Sequence, residues 1–125
     1  MSKLKLLIAE DSKLMQFFYE SELSAELYEL KIVSDGEQAL AEYSSWQPDI
    51  ILLDMLMPVM NGYLALKAIR ERFKDKSVTI IMATSSNDKD DVIACAKVGI
   101  QGYIVKPFEA DDVNKAILKY HQQKK

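Results

Sequence analysis

Five short apolar runs punctuate the chain: Leu4 to Ala9, Leu30 to Val33, Ile50 to Leu53, Val78 to Ala83 and Gly102 to Val105. Runs of this length, bounded by acidic residues, Pro or Gly, predict buried strands rather than helices. Three of them are almost continuously apolar, as a parallel sheet covered by helices on both faces requires. Between the runs, apolar positions recur at helical spacing. Val113, Ala116, Ile117 and Tyr120 follow i, i+3, i+4, i+7, as do Val92, Cys95, Ala96 and Gly99, whereas Leu66, Ile69 and Phe73 form a looser stripe. Ser12, Asp35-Gly36, Asn61-Gly62 and Asn87-Asp88 supply starts for the first four helices, because a short polar side chain can accept a free N–H of the first turn. Trp46-Gln47-Pro48 closes the second helix, and Gly99 with Gly102 brackets the exit from the fourth. The order βαβαβαβαβα predicts one α/β domain over residues 1–125, a parallel sheet between two helical layers.

Composition narrows the class. With 49% hydrophobic and 28% charged residues the chain is neither collagen-like, nor a coiled coil, nor disordered. Sixteen basic against 19 acidic side chains leave a net charge of −3, and the longest basic cluster is Lys124-Lys125. Such a surface repels phosphate backbones and anionic lipid, so neither nucleic-acid nor membrane binding is expected. Cys95 is the only cysteine, which excludes a disulfide framework and a cysteine-based zinc site and suits a reducing, cytoplasmic location. Glu10-Asp11 interrupts the apolar stretch after Lys5, and Asp54 and Pro58 interrupt the one from Ile50, so no signal peptide or membrane span is predicted.

Ligands of open α/β sheets bind outside the carboxyl ends of the strands. Those ends carry Glu10-Asp11, Asp54, Thr84-Ser85 and Lys106-Pro107, while the second strand runs out into Ser34-Asp35. Two like charges ~4 Å apart repel by about 4 kcal/mol at an effective dielectric of 20, so clustered carboxylates call for a counterion. Hard, partly hydrated oxygen ligands suit Mg²⁺ better than zinc or copper. A divalent cation on the carboxylates and a phosphoryl group on the ammonium and hydroxyl account for the whole set. Singly, each residue has a plain structural reading: Glu10-Asp11 as helix cap, Asp54 as loop opener, Thr84 as turn residue, Lys106 as solvated lysine. Only the combination is specific.

With those segments in view the sequence resembles the receiver domains of response regulators, the CheY-like family of two-component signal transduction. The likeness rests on Ile8-Ala9-Glu10-Asp11-Ser12, Asp49 to Pro58, Met60-Asn61-Gly62, Met82-Ala83-Thr84-Ser85 and Gly102 to Phe108. It implies a flavodoxin-like (βα)5 three-layer sandwich with strand order 2-1-3-4-5, an order for which CheY is a general example. It further implies Asp54 as phosphoacceptor, and Glu10, Asp11, Asp54 and the backbone carbonyl of Leu56 as ligands of Mg²⁺. Lys106 pairs with the phosphoryl group, Thr84 takes one of its oxygens, and the Tyr103 rotamer follows Thr84. The Lys106-Pro107 bond is expected to be cis. Where the family often has Asp, this chain has Glu10 and Asn61; the longer Glu10 is expected to reach the metal through water.

The resemblance also implies partners. A histidine kinase or histidine phosphotransferase donates the phosphoryl group, and a motility switch, a phosphotransferase or an enzyme reads the surface of the fourth helix, fifth strand and fifth helix. Enzymatic turnover of outside substrates is not expected, since a haloacid-dehalogenase-type hydrolase needs a second Asp where Leu56 stands. An FMN carrier would need a Ser/Thr/Gly-rich phosphate loop in place of Glu10-Asp11-Ser12-Lys13, and intact Asp54, Thr84 and Lys106 argue against an unphosphorylated scaffold. Met1-Ser2-Lys3 and Lys124-Lys125 read as native ends, favouring a stand-alone regulator without an output domain over a phosphorelay intermediate or an excised piece. His121, Cys95 and the Met55, Met57 and Met60 group are read as packing or surface residues.

Overall fold

The runs from Leu4, Ile50 and Val78 become strands whose side chains are buried on both sides, whereas those from Leu30 and Gly102 become strands that leave one face open to solvent. The computed structural model describes residues 2–85 and 89–122. Met1, the Asn87-Asp88 helix start and the Lys124-Lys125 tail lie outside the described residues. The elements run β1 (Leu4–Ala9), α1 (Lys13–Glu22), β2 (Tyr28–Val33), α2 (Gly36–Trp46), β3 (Ile50–Asp54), α3 (Gly62–Lys67), β4 (Thr79–Thr84), α4 (Lys89–Val98), β5 (Gly102–Val105) and α5 (Ala110–Gln122). All strand pairs are parallel and the sheet order is β2-β1-β3-β4-β5, the flavodoxin-like order.

Alternation along each strand divides the core in two. Leu7 and Ala9 of β1 pack with Ile51, Leu53, Ile80 and Met82 beneath α2, α3 and α4. Leu6 and Ile8 pack with Ile50, Leu52, Ile81 and Ala83 beneath α1 and α5. In β3 the residues Ile50 to Leu53 are at most 1% exposed. At about 2 kcal/mol per buried aliphatic side chain, this stretch is firmly anchored, as is Leu6 to Ala9 beside it. Asp54, the last residue of β3, therefore leaves the sheet from a rigid base.

Three of the expected caps are present. Ser12 Oγ accepts the Met15 N–H (3.3 Å), Asp35 Oδ1 that of Gln38 (2.8 Å) and Asn61 Oδ1 that of Leu64 (2.9 Å). Gln47 ends α2 in the left-handed region at φ 54°, and Gly99 at φ 126° ends α4 in a conformation an L side chain rarely adopts.

Some boundaries move. β2 begins at Tyr28 rather than Leu30, β3 extends through Asp54, and β4 runs from Thr79 to Thr84 rather than from Val78. Ala96 is exposed, and Val98 and Ile100 join Cys95 in the core instead. α3 continues as a π-helical turn, Ala68–Arg72, in which the Phe73 N–H bonds the Ala68 carbonyl at 3.0 Å. The wider turn carries Phe73 off the apolar stripe to 38% exposure, where its ring packs edge-on to Tyr43. It also turns Arg70 inward, so that its guanidinium donates to the Gly99 carbonyl (2.8 Å), the Asp75 carbonyl (3.0 Å) and Gln101 Oε1 (3.0 Å).

Candidate functional site

Parallel register sets the site. Ala9 is level with Leu53, Asp54 with Ala83, and Thr84 with Val105. Glu10, Asp54, Thr84 and Lys106 thus emerge at one edge of the sheet. Glu10 keeps one further sheet bond, its N–H to the Val33 carbonyl (2.9 Å), and the Lys106 N–H bonds the Thr84 carbonyl (2.7 Å). The Lys106-Pro107 peptide is cis.

One carboxylate oxygen from each of Glu10, Asp11 and Asp54 lies within 4.8 Å of the others. Glu10 is 1% and Asp54 7% exposed, whereas Asp11 faces solvent. Lys106 Nζ sits 2.6 Å from Glu10 Oε1 and 3.3 Å from Asp54 Oδ2. The other Glu10 oxygen accepts the Ser12 N–H at 3.0 Å. Burial raises the Asp54 carboxyl to about 6; Lys106 opposes the shift, the Glu10 charge adds to it, and the Leu56 N–H opposes it in turn. The same field reaches the buried Tyr19 phenol of α1, which burial first, and then Glu10 and Asp54, push well above its ordinary value.

A single ammonium among three carboxylates leaves a net negative pocket of hard oxygen donors, and that donor set fits a divalent cation of the Mg²⁺ class. No imidazole is at hand, because His121 sits at the far end of β4, its Nδ1 2.6 Å from Thr79 Oγ1. Leu56 stands beside Asp54 with its own side chain 70% exposed.

Thr84 is buried at the end of β4 and lines an apolar cavity of about 10 Å³ with Met55, Met82, Cys95 and Tyr103. Tyr103 is 42% exposed and lines that cavity. Cys95 is buried there with its Sγ 3.6 Å from Met55 Sδ. The residues expected to carry chemistry therefore share one rim, with Tyr103 behind it on β5. Sequence reasoning missed the Ser12 N–H, Tyr19, and Gln16, whose side chain donates to the Glu10 carbonyl. No motif marks Gln16; only its place on the second turn of α1, facing the loop it follows, could have suggested it.

Comparison with known proteins gives a family and a fold. The family described as the response regulator receiver domain matches residues 6–118. The response regulator ArlR of Staphylococcus saprophyticus is 35% identical over 123 residues, covering 96% of this chain and 54% of ArlR. The chain spans about half the length of the curated relatives it matches. Among solved structures, the chemotaxis protein CheY4 of Vibrio cholerae superposes with a TM-score of 0.88 at 29% identity, over 95% of this chain and 99% of that one. The receiver domain of the sensor histidine kinase PA1611 of Pseudomonas aeruginosa, a structure with a magnesium ion coordinated in its active-site cleft, gives 0.85 at 28%, over 97% and 99%.

Proposed function

The chain belongs to the response-regulator receiver family, and from that premise we propose that it is a phosphorylation switch in which Asp54 takes a phosphoryl group from a phosphohistidine donor. The observation that carries this reading is the shared ammonium: Lys106 bridges Glu10 and Asp54 inside a cluster of three carboxylates. In the transfer, an Asp54 carboxylate oxygen forms a bond to phosphorus as the donor's P–N bond breaks, and the electron pair stays on the imidazole nitrogen. Magnesium, when bound, supplies positive charge that offsets repulsion between the carboxylates and the incoming group. Glu10, Asp11 and Asp54, which cluster in space, together with the Leu56 carbonyl, are the residues that would hold it. On this reading Lys106 leaves Glu10 for an equatorial phosphoryl oxygen, and Thr84 donates its hydroxyl to another. Asp54 is recovered when water breaks the acyl phosphate, so the only turnover is of the chain's own modification.

The phosphoryl group adds roughly −1.5 to −2 charges at Asp54. Thr84 drawn toward it vacates space beside the cavity, and Tyr103 turns inward. A protein partner reading α4, β5 and α5 would then sense the change, as a bias on a two-state equilibrium. Residues 1–125 act in this reading as one receiver unit in the cytoplasm. No helix among the described residues is long and apolar enough to cross a membrane.

Incubation with acetyl phosphate and Mg²⁺ is expected to add the mass of one phosphoryl group, and Asp54→Asn to abolish the gain with the fold intact. Labelling that survives Asp54→Asn overturns the acceptor. Equal partner affinity with and without beryllofluoride overturns the switch.

A further inference from the structure

The two acids that begin the β1–α1 loop are joined by one peptide, and that peptide has left the sheet. The Glu10 N–H is still held by Val33, but the Glu10 carbonyl has no strand partner among the described residues. It accepts instead from Gln16 Nε2 at 2.6 Å, six residues ahead on α1. A carbonyl can only accept, so the contact fixes which end of the carboxamide faces it. The same nitrogen lies 3.3 Å from Ser34 Oγ, so both of its protons have acceptors. Ser34 is fixed in turn, its N–H donating to Gln38 Oε1 at 2.9 Å. Gln16 is half-buried, which shields this bond from water.

We infer that Gln16 is a positioning residue for the acidic pair: its carboxamide fixes the plane of the Glu10–Asp11 peptide, and with it the spacing at which the two carboxylates meet Asp54. The inference rests on the reading of this cluster as a magnesium site. Glu10 has a second anchor in the Ser12 N–H and a third in Lys106. Asp11 is exposed, so the peptide that Gln16 holds matters most for it. Groups that orient metal ligands without touching the metal typically change affinity by 10- to 100-fold when removed.

The test measures Mg²⁺ affinity from backbone amide shifts during titration of the unphosphorylated chain. Gln16→Met keeps length without a donor; Gln16→Asn keeps the amide but falls a methylene short. Both are expected to weaken Mg²⁺ binding on the order of tenfold. Ser34→Ala removes only the longer contact and is expected to bind within twofold of the parent. At saturating Mg²⁺ the acetyl-phosphate labelling rate of both Gln16 variants should return to within twofold of the parent, because the defect lies in assembling the site. Parent-like affinity in Gln16→Asn, or a rate deficit that persists at saturation, overturns the positioning role. A parent chain that shows no Mg²⁺-dependent shifts overturns the magnesium reading and this inference together.

Discussion

The α-carbon of Gly62 packs directly on the backbone of Asp54: a β-carbon built there would collide with the Asp54 carbonyl oxygen and stand 3.0 Å from Met82 Cε. The Gly62 N–H also bonds the Met55 carbonyl at 3.1 Å, so the first turn of α3 is tied to the loop leaving the site. Gly62→Ala must push the helix off β3. It is expected to cost about 1–3 kcal/mol, as overpacking does, and to slow acetyl-phosphate labelling. Urea unfolding together with a labelling time course checks this; parent-like values in both would show that the contact yields freely.

Lys106 is the sole cation in contact with Glu10 and Asp54 among the described residues. Lys106→Met leaves two buried carboxylates facing each other, and breaking a buried pair from one side costs about 3–5 kcal/mol. Without metal the variant should melt well below the parent at pH 7. Addition of Mg²⁺ should recover more of its melting temperature than it adds to the parent, since the ion replaces the missing charge. Equal metal-induced shifts in the two proteins would contradict this account.

Asp75 closes a network outside the site. Burial alone would raise its carboxyl, but hydrogen bonds from the Tyr43 hydroxyl, the Ser77 and Val78 N–H groups and the Ser77 hydroxyl hold it at about 2. A depressed carboxyl adds stability above its unfolded value near ~4, and that stability disappears as pH falls through the folded value. After screening by solvent the contribution is about 1 kcal/mol. Asp75→Asn should lose that amount at pH 7 and show a smaller further loss between pH ~4 and ~2. Chemical unfolding at a series of pH values reads both, and an unchanged midpoint at pH 7 would count against the network.

Tyr28 starts β2 with its ring in the α1–α5 core, and its buried hydroxyl has no partner among the described residues. An unsatisfied buried hydroxyl costs roughly 1–3 kcal/mol. Tyr28→Phe should therefore raise stability by about 1 kcal/mol with no change in denaturant slope. A loss of stability would mean that the hydroxyl has a partner the geometry does not reveal.

Much of this protein is written locally. Ile50 to Leu53 bury themselves on both sides because every residue is apolar, and Ser12, Asp35 and Asn61 cap helices through partners three residues away. A parallel βα order then leaves Glu10, Asp54, Thr84 and Lys106 one available edge, which is why the rim could be read from strand ends alone. What the sequence could not settle depends on register and rotamer between distant segments. Lys106 reaches Glu10 across 96 positions because β1 and β5 flank β3 and β4 and run out at the same edge of the sheet, with β5 continuing two residues past the level of Ala9. Arg70 turns inward only because α3 widens to a π turn, and Gln16 finds the Glu10 carbonyl only once α1 has docked. A helical or strand period is carried by neighbours within a few residues, whereas these contacts exist only after the layers have packed and fixed each side chain's direction.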